Sequence, residues 1–143
     1  MSVLFSKEAI RLYKTVFEKM KNGEAQEGDA GMLADAMKAH PEFEPFWGMG
    51  EAAFQPQEIN GYIVNPLIHV GLHVTIEKQL LNDDPVEVSV AINHLLSMGV
   101  SRHEAIHQVA GIWGNLYFRS VRRGEPMEEW IYLQELTTLA SNP

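Results

Sequence analysis

NPLIHVGLH (65–73) and SRHEAIHQVAGIWGNLYFRSVRRG (101–124) are the stretches on which the fold turns. Each opens on a helix cap: Asn65 is followed by Pro66 at the first helical position, and Ser101 precedes a long apolar-periodic run. Each then carries two histidines four residues apart, His69 with His73 and His103 with His107. Four residues is just over one turn, so both rings of a pair leave the same face of their helix. Between the two stretches, Asp84-Pro85 repeats the asparagine–proline type of start. Val88, Ala91, Ile92, Leu95 and Met98 then carry an apolar stripe to a stop at Gly99. Three consecutive helices follow from these signals alone.

Working outward, a first helix is expected from Ser6 to about Lys21, with Ile10, Tyr13, Val16, Phe17 and Met20 on one face. NGEAQEGDAG breaks it. Asp29 is the expected cap of a second helix carrying Leu33, Ala36 and Met37, which stops at His40-Pro41. From Pro41 to Gly61 aromatics are scattered among prolines and glycines. That pattern predicts a long loop with a short helical turn, pinned to the core by Phe43, Phe46, Trp47 and Phe54. Gly124 ends the fifth helix, and Pro126 is expected to start a last one containing Trp130, Ile131, Leu133 and Leu136. The architecture expected is all-α, a single-domain bundle of five or six helices over residues 1–143.

Composition narrows the function classes. Hydrophobic residues make up 45% of the 143 and charged ones 21%, which is globular rather than disordered. A net charge of −8 argues against a nucleic-acid partner, whose phosphates call for a basic face. Arg119, Arg122 and Arg123 form one basic cluster, which the end of a helix explains by favourable charge at its last carbonyls. No apolar run approaches the roughly 20 residues of a membrane span, and the opening MSVLFSKEAIRLYK lacks the plan of a signal peptide. The expectation is a cytoplasmic protein with no membrane partner; self-association is compatible with the sequence. With no cysteine, any metal is held by nitrogen and oxygen.

Short links on either side of the intervening helix favour antiparallel neighbours, so the two histidine helices are expected to run parallel. Both pairs sit in the first two turns after their caps, offset by only about two residues, or roughly 3 Å along the axis. His69, His73, His103 and His107 are therefore the expected ligands of one divalent transition metal, with zinc, nickel or iron as candidates. Glu77, one turn beyond His73, is a candidate ligand or an acceptor for a histidine N–H. Glu104 has two readings. In Ser101-Arg-His-Glu104 it completes a capping box, and in His103-Glu-x-x-His107 it is the candidate catalytic base beside a metal-bound water. His94 reads as a surface residue and His40 as a residue placed by a helix end. Three functions stay open at this point: a metal-binding bundle of unassigned role, a metal-dependent hydrolase using Glu104, and a metal-free interaction protein with a polar histidine cluster.

HPEF (40–43), NPLIHVGLH (65–73) and RHEAIH (102–107) together resemble a bacterial family known as domain of unknown function DUF1841. Its pattern has an HPEY-like segment, an NPFLHLSMHLAI-like helix start, a D-x-P turn, a histidine pair in the fifth helix and a tryptophan helix ending in a basic residue. Here these fall on His40, Asn65–Ile76, Asp83–Pro85, His103 with His107, and Trp113 with Arg119. The resemblance implies a histidine-rich helical fold and brings no activity with it. The chain departs from the pattern at Lys78-Gln79, where the family is more acidic, and at Gln108–Gly111, where it often has glutamate. That leaves a donor set poorer in carboxylate.

Overall fold

The computed structural model describes residues 7–49, 55–59 and 62–141. The fold is all-α. Among the described residues six α-helices run as α1 (Lys7–Lys21), α2 (Gly28–Lys38), α3 (Pro66–Asn82), α4 (Val86–Ser97), α5 (Arg102–Arg123) and α6 (Glu129–Ser141). A 3-10 helix (Pro41–Phe46) follows α2, and a small antiparallel pair, β1 (Gln57–Ile59) and β2 (Tyr62–Val64), precedes α3. Among the described residues no helix is long and apolar enough to cross a membrane. The chain divides into two compact units, residues 1–74 and 75–143, with the boundary inside α3.

In the first unit, α1 packs on α2 and α2 on the 3-10 helix. Tyr13 and Val16 of the α1 stripe are buried, and Ile10, Phe17 and Met20 pack against that core from its edge. Leu33, Ala36 and Met37 supply the buried face of α2. Its cap position is Glu27, with no side-chain bond to the helix, so Asp29 lies inside the first turn rather than capping it. There its charge still complements the helix dipole. Within the loop expected over 41–61, the 3-10 helix Pro41–Phe46 is the short helical turn predicted there. Phe43 and Trp47 are buried and Phe46 packs against the same core, as the aromatic pinning predicts. Phe54 lies outside the described residues. The β1–β2 pair was not expected at all.

In the second unit α4, α5 and α6 pack against one another. Val88, Ala91, Ile92 and Leu95 are buried on α4, whereas Met98, past the helix end, is 47% exposed. Pro85, not Asp84, occupies the cap position of α4, and no side chain caps the helix. Asp83 takes the left-handed conformation that ends α3 (φ 51°), which an aspartate tolerates better than most residues, and accepts a hydrogen bond from Ser89 Oγ at 2.9 Å. Gly124, at φ 64°, closes α5 in the same left-handed region. The last helix starts at Glu129, three residues beyond Pro126. Tyr132 and Leu136 are its buried residues, while Trp130 is 64% exposed and donates its indole N–H to Glu128.

Ser101 caps α5 as its sequence predicts, its hydroxyl accepting the Glu104 backbone N–H at 3.2 Å. Ser101→Ala is expected to cost about 1 kcal/mol of stability, read as a shift in the urea midpoint at unchanged slope.

Candidate metal centre

His40 is the centre of the first unit's polar group. It follows the last turn of α2, spaced after Leu33 and Met37 so that it continues their buried face. Only 1% of it is exposed. Its Nδ1 lies 2.7 Å from the carbonyl oxygen of Ala36. A carbonyl oxygen only accepts, so Nδ1 carries the hydrogen and the neutral ring presents a lone pair at Nε2. Phe43, one turn into the 3-10 helix, stacks on the ring at 5.1 Å and 6° and fixes its plane.

Two α3 rings meet this one edge-on. His69 lies 4.7 Å from His40 between ring centroids and His73 lies 4.6 Å away, at 81° and 76°. The Nε2 atoms of His40 and His69 are 3.1 Å apart. His69 and His73 are themselves 5.0 Å apart, as their four-residue spacing predicts. Asn65 sets the level of both. Its Oδ1 accepts the Ile68 N–H at 3.2 Å, and Pro66 opens the helix. His73 is 5% exposed, so two of the three imidazoles are buried.

In the second unit His103 and His107 are adjacent at 4.6 Å on the first turns of α5. His103 is exposed and His107 half-buried. A Glu104 carboxylate oxygen stands 3.8 Å from His107 Nδ1, too far for a hydrogen bond, and that side chain is more than half exposed. Glu77 is engaged by Arg102, whose guanidinium donates to both carboxylate oxygens at 2.7 and 2.8 Å. That hydrogen-bonded fork raises the Arg102 pKa further above its ordinary value. With both oxygens taken, Glu77 is a poorer metal donor than its position one turn after His73 suggests.

The rings of His69 and His73, and of His103 and His107, stand side by side as four-residue spacing on a helix dictates, whereas His40, expected only as a helix-end residue, is buried against the α3 pair. The signal for His40 was present: Leu33, Met37 and His40 fall at i, i+4 and i+7, the buried stripe of α2.

Fold and site define an all-α protein with a histidine cluster that could hold a metal ion. The chain belongs to the family described as a domain of unknown function, DUF1841, whose sequence model matches residues 6–138. No curated protein and no solved structure is a match for it.

Proposed function

We propose that this chain is a metal-binding protein whose histidine cluster holds one divalent transition-metal ion. His69 and His73 of α3 are the proposed ligands, together with His103 and His107 of α5. An all-nitrogen donor set without thiolate suits zinc, nickel or iron.

The observation that carries this reading is the packing of three imidazoles, His40, His69 and His73, into one group with two of them buried. Apolar side chains would fill that space without the desolvation cost of ring nitrogens, so a purely structural core has little reason to collect them. The spacing also suits coordination. Two nitrogens about 2.05 Å from one ion stand about 3.3 Å apart in a tetrahedron and about 2.9 Å apart in an octahedron, and 3.1 Å between His40 and His69 falls between these.

The test is elemental analysis and zinc titration of protein purified without an affinity tag. One equivalent per chain is expected. At a free zinc concentration of about 100 Kd the folded state gains about 2.7 kcal/mol, and a chelator reverses the accompanying rise in Tm. Substoichiometric metal together with an unmoved Tm would sink the proposal.

A further inference from the structure

We infer that His40, which lies on neither HxxxH pair, is itself a ligand of this centre and donates through Nε2. This deepens the metal-binding reading and rests on it. His40 and His73 share membership in the histidine group able to supply one ligand atom each. Three features of His40 single it out from a packed core histidine.

First, the Nδ1–H bond to the Ala36 carbonyl fixes its tautomer. Metal-bound histidines make this same outer bond to a carbonyl or carboxylate, which orients the ring and strengthens the other nitrogen as a donor. Second, Phe43 stacks flat on the ring, so its plane is set by packing before any ion arrives. Third, the unprotonated nitrogen is the one that meets another imidazole nitrogen, accepting from His69 Nε2 at 3.1 Å. A ring held at Nδ1, clamped on its face and aimed by Nε2 at a second histidine has the parts of a preorganised ligand. His69 and His73 share a helix face, and His40 is the ring both of them meet edge-on.

His40→Asn separates ligand from packing. Asparagine Nδ2 stands close to the place of histidine Nδ1 and keeps a donor for the Ala36 carbonyl, but it offers nothing at the Nε2 position. Zinc affinity of the full chain is measured by competition with a chromophoric chelator, with far-UV circular dichroism as the check on folding. The expected result is a folded variant whose zinc affinity falls by at least about 30-fold, within or above the range seen when a supporting histidine contact is lost. A folded variant within about threefold of wild type overturns the assignment of His40 and leaves the wider metal reading standing. A wild-type chain that takes up no zinc overturns both.

A second measurement needs no variant. In wild-type protein carrying ¹⁵N-labelled histidine, zinc is expected to move the His40 Nε2 resonance to the metal-bound range while Nδ1 keeps its hydrogen. A His40 Nε2 signal unchanged at saturating zinc overturns the inference, whatever the variant does.

Discussion

His73→Ala is expected to weaken zinc binding by about 100-fold or more, a larger loss than the 10- to 100-fold typical of outer-shell contacts. His73 is buried and lies within 5.0 Å of His69 and 4.6 Å of His40 between ring centroids. Removing it subtracts a proposed donor and leaves a gap that water or a shifted ring fills imperfectly. The comparison variant is His94→Ala on α4, a half-buried histidine that belongs to neither pair. It should bind zinc within about twofold of wild type, because it removes equal histidine content without touching the cluster. Isothermal titration of both variants gives the answer. Equal losses at positions 73 and 94 would mean that zinc binds histidines indiscriminately, and the proposed centre would be abandoned.

What the sequence made legible was whatever rests on local chemistry. Asn65-Pro66 and Ser101 start their helices where the side chains predict, because a cap needs only a hydroxyl or amide within three residues of the free N–H groups. Gly99 and Gly124 stop theirs because both sit at positive φ, where other residues are strained. The same logic failed where two signals of equal strength compete. Asp84 and Asp29 are both good caps by type, yet the cap of α4 falls one residue later, at Pro85, and that of α2 two residues earlier, at Glu27. Pro126 looked like a helix start and belongs to the preceding link. Trp130 lies within the last helix as expected but is 64% exposed, while Tyr132 and Leu136 are that helix's buried residues.

The β1–β2 pair escaped for a different reason. QEI and YIV flank Asn60-Gly61, a turn-forming dipeptide, but three residues are too few for a period-two pattern to stand out from a loop. At the site, spacing along one helix was readable and pairing across elements was not. Nothing local says that Glu77 is gripped by a residue 25 positions away, or that the ring ending α2 meets two rings of α3. His40 was discounted because a helix end explained it well enough. Its burial, a property of packing, is what makes it chemically interesting.

Raising the pH above 10 is expected to destabilise the protein by roughly 2 kcal/mol at pH 11.5 for each of two tyrosines, Tyr13 and Tyr132. Tyr13 donates its hydroxyl to the Leu67 carbonyl at 3.2 Å, and Tyr132 donates to Gln79 Oε1 at 2.6 Å. Burial pushes both phenols well above their ordinary value of 10.0, since a phenolate in either place would give up its hydration. The sign follows from the raised folded-state value. Below pH 10 the phenols are neutral in folded and unfolded chains alike, and their contribution is fully present. Above pH 10 the unfolded chain releases these protons while the folded one keeps them, so stability falls by about 1.4 kcal/mol per pH unit per tyrosine until the folded groups ionise too. About 4 kcal/mol from the two together is a large part of the 5–15 kcal/mol typical of a protein. Lysines titrate in the same range, so the clean reading is a difference between urea midpoints of wild type, Tyr13→Phe and Tyr132→Phe at pH 9 and 11.5. Each phenylalanine variant should lose less stability over that interval than wild type does, with tyrosinate absorbance at about 295 nm rising together with unfolding. Equal losses in all three proteins would show that both phenols ionise in the folded state, and that neither is as well shielded as its burial implies.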